Sequence, residues 1–135
     1  MDRPAKILVV DDDPDIVEAI KTVLEARNYA VVTARDGEEC LQRIRSETPD
    51  LVVLDLLMPR KDGFAVCRDL KQDRRYAKYS NIPILVLTSV HEEASRRRYE
   101  LETGLQFDVD DYVEKPIPPL DLLHRVEKLL QRVWA

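Results

Sequence analysis

Five residues with acidic, hydroxyl or amine side chains follow short apolar runs of the chain: Asp11, Asp12, Asp55, Thr88 and Lys115. If those runs are parallel strands, their carboxyl ends meet at one edge of a sheet, so the five side chains converge there. Carboxylates crowded in this way repel one another unless a cation is present. Mg²⁺ suits such a cluster, because it binds one or two carboxylates together with waters and phosphate oxygens. These residue types therefore predict a divalent-cation site.

The same side chains suit phosphoryl transfer to a carboxylate. Asp55 is the candidate nucleophile, and Mg²⁺ is expected to neutralise the charge that develops during transfer. Lys115 supplies a point charge that can pair with a carboxylate or a phosphoryl oxygen, and Thr88 supplies a hydrogen-bond donor to the same oxygen. Asp13 has a simpler explanation, since an aspartate before Pro14 is typical of a helix N-cap.

The elements that position these residues follow from hydrophobic periodicity, which alternates between short apolar runs and longer segments of helical spacing. The runs predict strands at Ile7–Val10, Ala30–Thr33, Leu51–Leu54, Ile84–Leu87 and Tyr112–Glu114. The predicted helices are Pro14–Arg27, Glu38–Ser46, Phe64–Leu70, Glu92–Thr103 and Leu120–Val133. Continuously apolar strands that alternate with helices predict an α/β fold with a helix-covered parallel sheet. Right-handed crossovers favour a flavodoxin-like (βα)5 three-layer sandwich with strand order 2-1-3-4-5.

Length and composition are typical of one globular domain. A chain of 135 residues can bury a core without disulfides or a structural metal, so we expect residues 1–135 to form a single domain with its core over about residues 5–133. A net charge of −5 argues against direct nucleic-acid binding. No apolar run approaches the ~18 residues of a membrane span. A cytoplasmic protein is expected, with Cys40 and Cys67 as reduced, half-buried thiols.

The strongest sequence pattern is carried by four segments, ILVVDDDP, PDLVVLDLLMPRKDG, IPILVLTS and DDYVEKP. Together they resemble the signature blocks of response-regulator receiver domains of two-component signalling, the CheY-like superfamily. The blocks come in the family's order and near its spacing, and the resemblance covers essentially the whole chain. One such block is weak evidence, whereas four together are highly specific.

The resemblance implies a phosphorylation site and a set of metal ligands. Asp55 is the residue that becomes phosphorylated, in a Mg²⁺-dependent reaction. The protein ligands of Mg²⁺, or of Mn²⁺ in its place, are Asp12, Asp55 and the backbone carbonyl of Leu57, while Asp11 acts mostly through water. Gly63 matches the end of the loop after the phosphorylation site, where glycine is expected to permit a tight turn.

The resemblance also implies a conformational switch. On phosphorylation Thr88 is drawn toward the phosphoryl group, which Lys115 contacts, and the ring of Tyr112 turns inward to fill the vacated space. The bond between Lys115 and Pro116 is expected to be cis. The surface formed by the fourth predicted helix, the fifth strand and the last helix, here called the output face, then changes shape for a protein target or a second copy.

The protein implied by this resemblance is a signalling phospho-acceptor and not an enzyme with turnover. Its phosphoryl donor is a histidine kinase or a histidine phosphotransfer protein, and the chain assists its own phosphorylation and dephosphorylation. This role belongs to a cytoplasmic phosphoprotein of bacterial phosphorelay signal transduction. One alternative stays open, a receiver-like interaction module that works without phosphorylation, although the complete set of acids, threonine and lysine argues against it.

Three features depart from the family pattern. The segment GLQFDVDDYVEKP is longer than usual, which affects the output face, and the segment KQDRRYAKYSNIP is expected to be a polar, somewhat long loop. Leu57 and Val90 stand where other receivers often carry polar groups that orient an attacking water. We expect their apolar side chains to shield the acyl phosphate and slow its hydrolysis.

Other interpretations of the acidic residues fit less well. A phosphatase of the haloacid-dehalogenase type needs a second acid two residues after the nucleophile, where this chain has Leu57. A flavin or nucleotide site needs a Gly- or Ser-rich loop after the first strand, whereas DDDPD repels phosphate in the absence of a metal. An EF-hand loop is excluded because Ile16 and Thr22 occupy the positions of its glycine and its bidentate glutamate.

Overall fold

A computed structural model describes residues 3–89, 97–98, 100–101 and 109–134. Its strands are β1 (Lys6–Val10), β2 (Ala30–Ala34), β3 (Leu51–Asp55), β4 (Ile84–Thr88) and β5 (Asp111–Glu114). Its helices are α1 (Pro14–Glu25), α2 (Gly37–Glu47), α3 (Gly63–Gln72), a 3-10 helix (Arg74–Tyr79) and α4 (Pro119–Trp134). The predicted helix Glu92–Thr103 lies for the most part outside the described residues; 97–98 and 100–101 are helical.

The five strands form one parallel sheet in the order β2-β1-β3-β4-β5, which confirms the predicted fold class and topology. Val10 pairs with Leu54, and Asp55 pairs with Leu87. Thr88 in turn pairs with Glu114, the last residue of β5. This register brings the carboxyl ends of β1, β3, β4 and β5 to the same edge of the sheet, where the predicted site residues begin.

The core consists of two apolar layers, one on each face of the sheet. Alternate residues of each strand point to opposite faces, so β3 sends Val52 and Leu54 to one layer and Leu51 and Val53 to the other. Helices α2 and α3 cover the first layer, and α1 and α4 cover the second. All five residues of β3 are buried, as expected for the central strand of a sheet covered on both faces.

Aspartate side chains begin the first three helices. Asp13 accepts a hydrogen bond from the backbone N–H of Asp15 at the start of α1, which confirms its predicted capping role. Asp36 and Asp62 do the same for α2 and α3. Helix α1 ends at Glu25, earlier than predicted, because the following turn tightens and Asn28 adopts a positive φ of 67°.

The two cysteines and one loop differ from expectation. Cys40 and Cys67 are fully buried in the layer beneath α2 and α3, not half-buried. Burial raises the pKa of both thiols, that of Cys67 to about 12. The expected polar loop Lys71–Pro83 contains the 3-10 helix, whose Tyr76 and Tyr79 are buried in the same layer. Among the described residues, no helix combines the length and apolar character needed to cross a bilayer.

Candidate functional site

Three carboxylates meet at the carboxyl edge of the sheet. Asp11 and Asp12 directly follow β1, and Asp55 is the last residue of β3. One oxygen from each of them lies within 4.8 Å of the others. Asp11 and Asp55 are each only 2% exposed, whereas Asp12 faces solvent. The structure thus brings together the three predicted acidic ligands, two of them buried and one open to solvent.

Lys115 lies among these acids from the loop after β5. Its Nζ donates a hydrogen bond to Asp55 Oδ1 over 3.0 Å and lies 3.1 Å from Asp11 Oδ2. Burial lowers the pKa of Lys115, but the hydrogen bond to Asp55 and the charges of Asp55 and Asp11 outweigh it, so the pKa is raised overall. Lys115 therefore stays protonated at neutral pH and offsets part of the repulsion between the acids.

One carboxylate oxygen of the site is paired by charge alone. Asp11 Oδ1 accepts a hydrogen bond from the Asp13 backbone N–H over 3.0 Å. Asp11 Oδ2 is fully buried and, among the described residues, receives no hydrogen bond, although the Lys115 amine lies 3.1 Å away. A buried oxygen left in this state is costly, and it has the chemistry of a ligand for a hard cation. The three acids therefore fit Mg²⁺ or Mn²⁺.

The predicted fourth ligand lies in the loop between β3 and α3. Leu57 follows Asp55 by two residues, and its side chain is 43% exposed. The role of its backbone carbonyl as a ligand stays a prediction. The loop closes on the strand through a hydrogen bond from the Gly63 N–H to the Leu56 carbonyl.

Gly63 is needed for a different reason than the one predicted. A Cβ atom at this position would lie 2.6 Å from the carbonyl oxygen of Asp55 and 2.9 Å from Leu56 Cα. Its backbone does not adopt the left-handed conformation that only glycine favours. Close approach of α3 to the end of β3, and not a turn with positive φ, therefore requires glycine here.

Thr88 ends β4, the strand beside the one that ends in Asp55, and Tyr112 lies on β5, one strand further out. The Thr88 side chain is almost fully buried, and its hydroxyl donates to the backbone carbonyl of Val113 over 3.4 Å. The Lys115 N–H donates to the Thr88 carbonyl over 2.7 Å, and the bond from Lys115 to Pro116 is cis, as expected. Tyr112 lies on β5, and its side chain is partly exposed. The hydroxyl of Thr88 is thus bonded to β5.

A charged contact beside the site was missed by the sequence analysis. Arg60, in the loop after β3, pairs through Nε with Asp36 Oδ2 over 3.1 Å. No role for Asp36 followed from the sequence. The aspartate before Gly37 was a detectable helix N-cap signal, but nothing in the sequence indicated which basic residue would meet it.

One groove borders the site and another lies on the output face. One, of about 370 Å³, lies between α1 and the loop after β5 and is lined mainly by apolar residues: Ile16, Ala19, Ile20, Leu87, Lys115, Pro116 and Ile117. The other, of about 330 Å³, lies on the output face between β5 and α4 and carries charges of both signs. In it, Arg125 pairs with Asp111 and Asp121.

Comparison with known proteins agrees with the fold. A family model of the response regulator receiver domain matches residues 7–127. The alkaline phosphatase synthesis transcriptional regulatory protein PhoP of Bacillus subtilis is 42% identical over 127 residues, a match that covers 94% of this chain and 49% of that protein. The chain spans about half the length of the curated relatives it matches.

Solved structures show the same architecture at similar length. The signal receiver domain of a signal transduction histidine kinase from Syntrophus aciditrophicus superposes with a TM-score of 0.81 and 33% identity, covering 96% of this chain and 92% of that one. The chemotaxis protein CheY4 of Vibrio cholerae superposes with a TM-score of 0.74 and 27% identity, covering 93% and 98%. The match over residues 7–127 and the shared fold establish that this chain belongs to the response regulator receiver domain family of two-component systems.

Proposed function

We propose that the chain is a phospho-acceptor, in which Asp55 takes a phosphoryl group from a histidine kinase or a histidine phosphotransfer protein. The observation that carries this proposal is the environment of Asp55. Its carboxylate is buried, receives a hydrogen bond from Lys115, and lies within 4.8 Å of oxygens of Asp11 and Asp12. Such a group is held in place for attack and surrounded by the charges that phosphoryl transfer needs.

In the proposed reaction, an Asp55 carboxylate oxygen attacks the phosphorus of a phosphohistidine. The bond from phosphorus to the imidazole nitrogen breaks as the acyl phosphate forms, and the imidazole keeps the electron pair. Lys115 pairs with a phosphoryl oxygen, while Asp11, Asp12, Asp55 and the Leu57 carbonyl hold the cation. Bound Mg²⁺ supplies neutralisation of the negative charge on the phosphoryl oxygens.

The switch begins with the hydroxyl of Thr88. It now donates to the Val113 carbonyl over 3.4 Å, a long hydrogen bond that is easily exchanged. In the phosphorylated protein it donates to a phosphoryl oxygen instead, and the partly exposed ring of Tyr112 turns inward. The change is a local shift of charge that moves a two-state element of the output face.

The output face is proposed to bind a protein target or a second copy of the chain. Its charged groove presents Arg125, which is bonded to Asp111 over 2.9 and 3.0 Å and to Asp121 over 3.1 Å. Paired charges of this kind can exchange partners with the same residues of another copy, because a twofold interface is self-complementary. Sedimentation of phosphorylated wild type and of Arg125→Glu tests this: a dimer that the variant does not form supports self-association, whereas monomers in both favour a separate target.

The protein is further proposed to act in the cytoplasm and without turnover of a substrate. Its reaction is a single transfer to its own side chain, followed by hydrolysis of the acyl phosphate, and the chain assists both steps. In this role the surface next to Asp55 must admit a phosphohistidine, and the exposed Asp12 marks the open side of the site.

Intact-mass measurement after incubation with Mg²⁺ and a small acyl phosphate tests the proposal. We expect wild type to gain the mass of one phosphoryl group and Asp55→Asn to gain none. Asp13→Asn is the matched control, because Asp13 neighbours the acids but caps α1, a role that asparagine can fill. It should be phosphorylated normally.

Two results would contradict phosphorylation of Asp55. The first is a wild-type protein of unchanged mass, which would favour an interaction module that works without phosphate. The second is a phosphoryl group that persists in Asp55→Asn, which would place the acceptor elsewhere.

A further inference from the structure

The loop between β3 and α3 contains a strained turn at Arg60. The Lys61 N–H donates to the Pro59 carbonyl over 2.8 Å, which closes a three-residue γ-turn with Arg60 at its centre. Arg60 has a φ of 67°, and γ-turns with positive φ are rare and strained for residues other than glycine. A conformation of this kind persists only where its surroundings impose it.

An ion pair between Arg60 and Asp36 holds the turn in this conformation from one side. Arg60 Nε lies 3.1 Å from Asp36 Oδ2; the Arg60 side chain is 68% exposed, whereas that of Asp36 is only 4% exposed. The other oxygen of Asp36 accepts the Glu39 N–H over 2.9 Å at the start of α2. Both carboxylate oxygens are therefore engaged, and Asp36 is fixed to the helix that the loop contacts.

Backbone contacts and a second cation hold the neighbouring residue. The Gly37 N–H donates to the Lys61 carbonyl over 2.8 Å, and a Cβ at Gly37 would lie 2.2 Å from that oxygen. The Lys61 amine pairs with Asp69 of α3 and lies 3.9 Å from Glu38 of α2. The tip of the loop is thus bound to both helices, while its base closes on β3 through the hydrogen bond from Gly63 to Leu56.

We propose that Arg60 and Asp36 form a clamp that holds the loop after Asp55 in its strained shape and so positions the Leu57 backbone carbonyl as a metal ligand. Arg60 is a positioning residue, since its described side-chain contact is with Asp36 and it acts through the loop. The inference rests on the proposed Mg²⁺ site, of which it names the supporting structure. Residues that orient metal ligands commonly change metal affinity when they are replaced.

Charge and positioning predict opposite effects for Arg60. Arg60 is a cation on the loop beside the proposed cation site. If it acts by charge alone, replacing it with a neutral residue should strengthen Mg²⁺ binding. If Arg60 instead positions the loop, replacing it should weaken Mg²⁺ binding, because the loop must then be ordered at the moment of binding. The sign of the change in affinity therefore separates the two roles.

The experiment is calorimetric titration of Mg²⁺ into wild type and variants without a phosphoryl donor. Arg60→Gly removes the ion pair and relieves the strained φ, whereas Asp36→Asn breaks the pair from its other end and keeps a capping side chain. Arg60→Lys retains a cation that can reach Asp36. Arg35→Ala is the matched control, because Arg35 lies near the start of α2 and pairs with Glu39 but has no described contact with the loop.

We expect Arg60→Gly and Asp36→Asn each to weaken Mg²⁺ binding about tenfold. The double variant should be no weaker than either single one, since both break the same contact. Arg60→Lys should recover part of the affinity, and Arg35→Ala should bind as wild type or more tightly. Thermal unfolding without Mg²⁺ should show Arg60→Gly at least as stable as wild type, a combination that general damage to the fold cannot produce.

Wild-type affinity, or tighter binding, in both Arg60→Gly and Asp36→Asn would overturn the clamp and leave the proposed function standing. A wild-type protein that neither binds Mg²⁺ nor becomes phosphorylated would overturn both. Should Arg60→Gly fail to fold, the strain argument falls, and Arg60→Asn replaces it in the titration, because asparagine removes the cation and tolerates a positive φ, whereas loss of the Asp36 charge weakens cation binding by itself.

Discussion

At the scale of single residues, Lys115 determines how two buried acids can lie side by side. Its amine contacts both Asp55 and Asp11, and its pKa is raised because these contacts outweigh the effect of burial. A group whose pKa is raised on folding stabilises the protein fully below its unfolded pKa and loses this contribution as the pH rises through the folded value. For Lys115 the loss begins above about 10.5.

The variant Lys115→Met keeps the apolar stem and removes the charge. Without Mg²⁺ we expect it to be less stable at neutral pH by about 3 kcal/mol, the lower end for breaking a buried ion pair. The difference from wild type should shrink as the pH rises from about 10.5 through the raised folded pKa, where the native wild type loses its own amine charge. Urea unfolding across this pH range measures it, and a difference that is constant with pH would contradict the argument.

Leu57 allows a prediction about the lifetime of the phosphorylated form. Its exposed side chain lies in the loop directly after Asp55, where it can exclude water from the acyl phosphate. In Leu57→Asn the acyl phosphate on Asp55 should hydrolyse several times faster than in wild type, because the amide can orient an attacking water. Loss of phosphoryl mass over time measures this. Leu120→Asn, an exposed leucine on α4, is the control, and equal or slower decay in Leu57→Asn would refute the shielding role.

The acids and Lys115 could be predicted because each follows a strand, and parallel strands bring their carboxyl ends to one edge. The ion pair between Arg60 and Asp36 could not. It joins two loops whose residues have no periodic spacing, and its geometry depends on a positive φ that arginine does not signal.

At the scale of elements, Asp50 joins the starts of β1 and β3. It accepts hydrogen bonds from the Arg3 guanidinium, over 2.8 and 2.9 Å, and from the Lys6 backbone N–H, over 2.8 Å. Burial raises the pKa of Asp50, but these hydrogen bonds and the two positive charges outweigh it and hold the pKa below its usual range. The contribution to stability is therefore present above the unfolded pKa and is lost as the pH falls through the folded one.

Asp50→Asn should cost about 2 kcal/mol of unfolding free energy at neutral pH, the magnitude of hydrogen bonds to a charged group. The difference from wild type should shrink as the pH falls below about 3.8 and disappear below the lowered folded pKa, where the native wild type also loses the charge. Denaturant unfolding at neutral and acid pH measures this against Glu18→Gln, which removes an exposed charge from α1. A penalty that persists in acid would show that the charge is not the cause.

The 3-10 helix shows why one element was missed. Tyr76 and Tyr79 are three residues apart, the repeat of a 3-10 helix, so both rings face the core. The segment Lys71–Pro83 was predicted to be a polar loop because it contains five charged residues. Two of these neighbours cover the tyrosines instead of competing with them, since Arg75 and Lys78 lie 5.6 and 5.2 Å from the ring centres of Tyr76 and Tyr79.

At the scale of the whole molecule, cation binding and folding are linked. A ligand that binds only the folded chain stabilises it, by about 2.7 kcal/mol at a hundred times its dissociation constant. We expect saturating Mg²⁺ to raise the melting temperature of wild type by several degrees. Asp12→Asn should show little of this rise, yet be no less stable than wild type without Mg²⁺, because it removes a repelling charge from an exposed position.

Differential scanning calorimetry with and without Mg²⁺ measures this linkage, with Asp13→Asn as the control that should respond like wild type. An equal response in Asp12→Asn would remove Asp12 from the ligand set.

The strand order could be predicted at this scale because alternating strands and helices with right-handed crossovers leave few arrangements. The output face could be predicted only from the resemblance, and residues 92–96, 99 and 102–103 of its fourth predicted helix lie outside the described part.

The burial of Cys40 and Cys67 makes them built-in reporters of opening. Both lie in the layer beneath α2 and α3, and the raised pKa of each thiol keeps it from forming the reactive thiolate while the layer is closed. A thiol reagent added to the native protein can modify them only during openings of that layer. The labelling rate therefore records how often one face of the sheet separates from its helices, and its dependence on Mg²⁺ shows whether the metal site restrains that half of the molecule.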